Sequence, residues 1–398
     1  MSPLDTVLAR LAELEQQGLR RRRRTSDSPC GSQLQVDGTH VRAFCSNDYL
    51  GLAADPRIAD ALKDGTDRYG VGSGASHLIS GHYKVHDQLE QRLASFVSEH
   101  IPNVAALYFS TGYMANVGAI AALAALDPSV EVFSEALNHA SLIDGMRLAR
   151  VKVKVYGHCD VSELEGLLAT SSARVKLVVT DSVFSMDGDL APLPRILQLC
   201  EKYGAWLLVD DAHGFGTLGG QGHGALEHFA LRSEHLIYVG TLGKAAGVGG
   251  AFVAADSSVI DWLVQRARAY VYSTASPPAL AQALLESLDI IEGPDGKSRR
   301  ARLHHLIDLL NRELRLTHWT KLQSSTAIQP ILLGDNEQVV QASRQLHEAG
   351  FWVPAIRPPT VPPGTARLRI TLSAAHADAD VAALADTLNQ VESRLYRP

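Results

Sequence analysis

Between residues 104 and 255, seven short apolar or β-branched runs alternate with longer helical patterns, and this alternation restricts the fold more than any other feature. The runs are AALYFS (105–110), VEVFS (130–134), VKVKVYG (151–157), VKLVVTD (175–181), AWLLVDD (205–211), HLIYVG (235–240) and GAFVAA (250–255). Strands spaced by helices read as βαβ units, which assemble into a parallel sheet covered by helices on both faces. The expected class is α/β, with a large domain built on a mostly parallel central sheet.

The 398 residues leave room for more than that sheet, since roughly 100–200 residues make one domain. The turn-rich stretch IEGPDGKS (291–298) reads as a hinge. Beyond it come a helix to about Leu316, a strand IQPILLG (328–334), a helix to about Gly350, strands FWVPAI (351–356) and ARLRITLS (366–373), and a last amphipathic helix over 378–395. This predicts a smaller α+β C-terminal domain over 291–398, a large domain over 46–290, and an N-terminal helix and arm over 1–45. In that arm Leu4, Val7, Leu8, Leu11 and Leu14 fall on one helical face, and the run Arg20–Arg24 reads as solvated cations at the helix C-terminus.

A formal net charge of -6 argues against a nucleic acid or an anionic membrane as main partner, because phosphate surfaces select basic faces. The longest apolar run, GAIAALAAL (118–126), is far below the roughly 20 residues of a membrane helix. Asp5, Glu13 and Glu15 among the first leucines do not fit a signal peptide. Cys30, Cys45, Cys159 and Cys200 form no C-x-x-C pair. A cytoplasmic protein acting on small molecules is expected. No metal site is expected either: His82 and His86 are four apart, but Tyr83 stands where the H-E-x-x-H motif has its glutamate, and both read as surface or loop histidines.

Ligands of open parallel sheets bind beyond the carboxyl ends of the strands, where STGYMAN (110–116), DSVFSMDGD (181–189), DDAHGFG (210–216) and TLGK (241–244) lie. Lys244 is not a Walker-A lysine, since Ala245 and Ala246 follow it where a hydroxyl would hold magnesium. The glycines of GVGSGAS (70–76) lack the preceding strand that a dinucleotide fingerprint needs. What remains is an amine used covalently, above all toward pyridoxal phosphate. Such a site needs an acid for the pyridine nitrogen, for which Asp210 is placed, and a flat group over the ring, for which His139 is suitable. It also needs a phosphate cup, for which STGY, Ser185 and Thr241 supply donors.

The stretches LNHASLIDG, VFSMDGDLAPL, LLVDDAHGFGTLG, TLGKAAG and YSTASPP resemble the α-oxoamine synthases, fold-type-I enzymes dependent on pyridoxal phosphate. The likeness runs from CSNDYLGL (45–52) to RLRITLSAAH (367–376). It implies that Lys244 forms the Schiff base, Asp210 partners the pyridine nitrogen, His139 stacks on the ring and His213 meets its phenolic oxygen. It places Gly112, Tyr113, Ser185 and Thr241 around the phosphate, with Ser273 and Thr274 reaching the phosphate of a neighbouring subunit in a homodimer. Arg369 would bind the amino-acid carboxylate, with Asn47 among the substrate-binding residues, and Arg20 and Thr360 would face the acyl substrate.

The segment AIRPPTVPPGTARLRITLSAAH (355–376) most resembles the biotin-pathway branch, which joins L-alanine to a pimeloyl group carried on coenzyme A or acyl carrier protein. Branches that join glycine to acetyl or succinyl donors are the alternative within the family. An aminotransferase-like enzyme and a catalytically silent binding protein are the alternatives outside it. Asp181-Ser182 and Ala245 depart from the family pattern, at positions that bear on local loop shape and acyl fit.

Overall fold

A hairpin of β1 (Gln33–Val36) and β2 (Thr39–Ala43) precedes the central sheet in this computed structural model, which describes residues 2–396. The sheet is made of β3 (Val104–Phe109), β4 (Glu131–Glu135), β5 (Lys152–Tyr156), β6 (Lys176–Asp181), β7 (Trp206–Asp210), β8 (Leu236–Thr241) and β9 (Ala251–Asp256). Each begins and ends within one residue of a run expected from the sequence. The spatial order is β3-β9-β8-β7-β6-β4-β5.

Side chains alternate across this sheet with the period of two that a pleated strand imposes. Leu207 and Val209 of β7 face a core shared with Leu89, Leu93 and Phe96, whereas Leu208 faces the other core, with Ala115, Ala119 and Leu123 of the helix Gly112–Ala124. Both faces of the inner strands are covered, so those strands have to be apolar almost throughout, whereas the edge strand β5 leaves Lys152, Val153 and Val155 exposed. One strand departs from the parallel expectation: β9 runs antiparallel to both β8 and β3. Only residues 242–250 link β8 to β9, too few for the crossover of a dozen or more residues that a parallel neighbour requires.

The expected hinge is a joint between two helices. Pro278–Glu292 stops at Gly293, and Pro294, which has no N–H to lose, opens Pro294–Glu313. Beyond it, β10 (Thr320–Lys321), β11 (Ile328–Gly334), β13 (Ala355–Ile356) and β14 (Ala366–Thr371) form an antiparallel sheet in the order β10-β11-β14-β13. FWVPAI is not one strand. Phe351–Trp352, β12, pairs in parallel with Arg42 and Ala43 of β2, whereas Ala355–Ile356 pairs with β14. Between them the Pro354 carbonyl accepts from Arg369 N at 3.1 Å. The N-terminal hairpin is therefore joined to the C-terminal layer.

The first helix, Pro3–Gln16, forms as expected, but its apolar face is open, with Leu4 65% and Leu8 56% exposed. The arginine run lies beyond that helix, past Gly18 at φ 64, and so does not occupy its last turn. Arg20 and Arg22 both turn back to Glu15, at 3.1 and 2.9 Å.

Candidate active site

Four parallel strands end on polar residues at one edge of the sheet: β4 on Glu135, β6 on Asp181, β7 on Asp210 and β8 on Thr241. Asp181 and Asp210 are register partners on adjacent strands and are both buried. Asp210 accepts from Asn116 Nδ2 at 2.6 Å and from Ala212 N at 3.0 Å, which fixes both of its oxygens. Burial, then the neighbouring Asp210, pushes Asp181 well above the usual carboxylate range. Its Oδ2 accepts from His139 N at 2.7 Å, and the His139 ring is anchored through Nδ1 by Ser141 Oγ at 2.7 Å.

Lys244 leaves the end of β8 three residues after Thr241 and reaches His213 Nε2 at 2.8 Å. His213 Nδ1 lies 2.5 Å from the Tyr49 hydroxyl, which donates to Asn47 Oδ1 at 3.2 Å. With Tyr49 donating to Asn47, the row runs one way: Lys244 donates to His213 Nε2, and His213 Nδ1–H donates to Tyr49. Burial holds His213 well below the ordinary imidazole value, and Lys244 and Arg369 add to the effect, which keeps the ring neutral. Burial likewise pushes the Lys244 amine down to about 8, against the pull of Asp210 and Asp181. His139 is also lowered, chiefly by burial and against the pull of Asp210, with Lys244 adding to the effect.

The helix Gly112–Ala124 starts beside this group. Thr111 caps it, accepting from Met114 N at 3.1 Å. A Cβ on Gly112 would lie 2.8 Å from Thr241 Oγ1, so glycine alone leaves the first turn of the helix open toward that hydroxyl. Free N–H groups at a helix start beside a hydroxyl suit a phosphate. A buried carboxylate, a low-pKa amine and this cradle together fit pyridoxal phosphate. Asn116 Oδ1, buried and without a partner among the described residues, leaves acceptor capacity in the same pocket.

Other expected residues are distributed around this centre. Arg369 donates to the Ser185 carbonyl at 2.5 Å and to Thr371 Oγ1 at 3.0 Å, and both its terminal nitrogens lie 3.5 Å from Asn47 Oδ1. Tyr113 is half exposed and donates to Asp144 at 2.8 Å. Thr274, next to Ser273, forms an isolated bridge with Ser76, and Ser276, two residues on, donates through its hydroxyl to Ser110 at 2.9 Å. Arg20 and Thr360 line one cavity of about 760 Å³, and Thr360 also borders a second, of about 490 Å³, with Asn138, Ser185 and Met186.

Tyr49, Asn116 and Asp181 were not anticipated as members of the site. The signal for Asp181 was present, since it ends an expected strand next to the one ending in Asp210. Tyr49 offered none, being 164 positions from His213. Asp211 is structural: it accepts from Ser182 Oγ, from Tyr238 at 2.7 Å and from Ala225 N at 2.8 Å. Ala245 fits because position 216 is glycine, where a Cβ would lie 2.9 Å from the Ala245 methyl. His86 is not a surface residue. It is fully buried, its Nδ1 accepting from Tyr83 N at 3.1 Å and its Nε2 3.0 Å from the Ser276 carbonyl, so both nitrogens are engaged.

The profile of the family described as Aminotransferase class I and II matches residues 39–388. A protein of Janthinobacterium sp. (strain Marseille) named 8-amino-7-oxononanoate synthase is 61% identical over 384 residues, 96% of this chain and 97% of that one. A serine palmitoyltransferase structure solved with PLP superposes with a TM-score of 0.90 at 27% identity, covering 98% of this chain and 97% of the other. The structure of 8-amino-7-oxononanoate synthase from Francisella tularensis gives a TM-score of 0.75 at 29% identity, over 90% and 99% of the two chains. The chain belongs to the aminotransferase class I and II family and, within it, to the pyridoxal-phosphate-dependent α-oxoamine synthases of the 8-amino-7-oxononanoate synthase kind.

Proposed function

We propose that this enzyme condenses L-alanine with a pimeloyl thioester, carried on coenzyme A or acyl carrier protein, with loss of carbon dioxide, as a step in making biotin. The observation that carries the reading is Lys244: a buried amine held down to about 8, 2.8 Å from a neutral His213 and beside the Asp181–Asp210 pair. Pyridoxal phosphate, when bound, supplies an aldehyde for amines and a protonated ring that stores the electron pair of a broken Cα bond. Lys244 would hold it through Nζ, Asp210 would face its ring nitrogen and His139 its ring. Gly112, Tyr113, Ser185 and Thr241 would surround its phosphate, with Ser273 and Thr274 contributed to the neighbouring subunit.

In turnover, Arg369 with Asn47 binds the alanine carboxylate. Lys244 Nζ takes the alanine Cα proton, which a lysine of ordinary basicity, already protonated, could not do. His213 holds that amine in line, and Tyr49 keeps the imidazole in the tautomer that accepts from it. Arg20 and Thr360 hold the acyl thioester while a bond forms from alanine Cα to its carbonyl carbon and the thiol departs. Residues 46–290 act as the cofactor domain and 291–398 as the smaller partner that brings Arg369 and Thr360 to it.

We assign a homodimer, supported by the open apolar face of the first helix and by exposed Val71, Ile79 and Tyr272. A cytoplasmic location accords with the reaction. Among the described residues no helix is long and apolar enough to cross a membrane. The test is thiol release from pimeloyl, succinyl and acetyl thioesters with alanine and with glycine, the product identified by mass. Faster turnover of succinyl or acetyl with glycine overturns the substrate assignment, and an active monomer by light scattering overturns the dimer.

A further inference from the structure

Phe184, Ser185, Met186 and Asp187 of the turn Phe184–Asp189 line the 490 Å³ cavity together with Leu137, Asn138 and Thr360. The turn is closed on itself by Phe184 N donating to Asp189 O at 3.1 Å and Gly188 N to Phe184 O at 2.7 Å. From the C-terminal layer it is gripped by Arg367, which donates to Met186 O at 3.1 Å and to Asp187 at 2.5 Å, and by Ser324, which donates to Gly188 O at 2.8 Å. From the central sheet it is reached by His158. That residue follows β5, where Cys159 at φ 55 bends the chain. Its ring meets Phe184 edge to face at 4.5 Å.

His158 Nδ1 lies 2.7 Å from Glu135 Oε1, and Nε2 lies 2.9 Å from Asp189 Oδ2. A carboxylate at each nitrogen requires a proton on each, so the ring is an imidazolium. Asp189 first, then Cys159 and Glu135, raise it to about 12. Glu135 is 2% exposed and also accepts from Cys159 N at 3.2 Å and from Leu137 N, so it organises the segment Ala136–Asn138, which lines the same cavity. We propose that His158 is a positioning residue for the acyl half of the reaction: by bridging Glu135 and Asp189 it fixes these two lining segments of the cavity beside Thr360 relative to each other. It touches neither Lys244 nor Asp210; Ser185, whose carbonyl meets Arg369, lies within the clamped turn, but Arg367 and Ser324 still grip that turn when His158 is lost, so the steps on alanine change less than the acyl step.

The test uses the cofactor-loaded enzyme with His158→Gln, Asp189→Asn and the double variant. His158 is about one third exposed, so the glutamine is accommodated without a core cavity. Loss of a charged bridge should raise the KM for the acyl thioester about tenfold. The KM for alanine and the rate of alanine Cα hydrogen exchange should stay within about twofold, a split that general destabilisation does not produce. If His158 acts through Asp189, the double variant should be no worse than the more impaired of the two single variants. An unchanged acyl KM, or alanine exchange falling in parallel with it, overturns the proposal. The prediction rests on the acyl donor entering beside Thr360. If the parent enzyme does not turn over pimeloyl thioester, that reading fails separately, and the clamp is then decided by amide hydrogen exchange. Residues 184–190 should exchange faster in His158→Gln, and equal exchange overturns the clamp.

Discussion

Around Lys244 the polar groups are enclosed and, Asn116 Oδ1 apart, engaged with one another: His213 is 7% exposed, and Asp210, 4% exposed, has both oxygens engaged. Beside Thr360 the chain is open, on a loop with four prolines and facing an arm whose helix has no buried residue. The first region hangs from the ends of adjacent strands, so its geometry is set by the sheet. The second is assembled from the arm, the proline loop and the Phe184–Asp189 turn, which come from three distant parts of the chain. A site that must break a bond needs groups fixed to within a fraction of an ångström, whereas a site that admits a flexible acyl chain needs space with a few anchors.

If that contrast is right, substitutions in the enclosed region should cost rate and those in the open region should cost affinity. The largest effect should come from Lys244→Ala, with turnover falling at least about 10³-fold, the scale for losing a group that moves a proton or bonds covalently. The fold should persist, as read by circular dichroism, because Lys244 is not part of the apolar core. Full activity in that variant would remove Lys244 from the mechanism. Asp210→Asn should follow, slowing deuterium exchange at alanine Cα by roughly 10²-fold or more, since the neutral amide cannot hold a ring proton. Asn116 Nδ2 would then confront another amide in place of a carboxylate. Near-normal exchange in this variant would break the assignment.

A further test sharpens the electrostatic side. Burial lowers the Lys244 amine to about 8, from the 10.5 of an ordinary lysine, by disfavouring its charged form. Only the neutral amine condenses with an aldehyde, so cofactor capture by the apoprotein should speed up as pH rises and be half-maximal near 8. An ordinary lysine would still be gaining rate well above that pH. Stopped-flow absorbance across the range reads the midpoint directly. A midpoint near 10.5 would mean that the pocket does not desolvate the amine.

The same contrast governs what the sequence made legible. Strands buried on both faces are nearly continuous apolar runs and the edge strand β5 is β-branched at alternate positions, so all seven appear in the sequence, and the polar residues closing four of them mark the site. The reversed direction of β9 was overlooked, although the shortness of 242–250 signals it. The splitting of FWVPAI could not be read, because pairing Phe351 with Arg42 depends on an arm more than three hundred residues earlier. The bridge through His158 was equally hidden, its partners lying 23 and 31 positions away, one at the end of a strand and the other in a turn. Periodicity reports which face of an element is buried and says nothing of which distant loop will meet its end.

The smallest effects should come from the open region, and they separate two kinds of anchor. Thr360→Ala removes one neutral hydroxyl, worth about 1 kcal/mol if it bonds the acyl group, so the KM for the thioester should rise about fivefold with kcat nearly unchanged. Arg20→Ala should raise it by a similar or smaller factor, because an exposed arginine already paired with Glu15 at 3.1 Å is partly neutralised and screened. Ionic strength distinguishes the two. Adding salt should erode the contribution of Arg20 while leaving that of Thr360 intact. In Arg20→Ala, therefore, the thioester KM should lose most of its salt dependence, and in Thr360→Ala it should retain it. A tenfold or larger fall in kcat for either variant, with KM unchanged, would mean that the open region takes part in bond breaking and that the division drawn between the two regions is wrong.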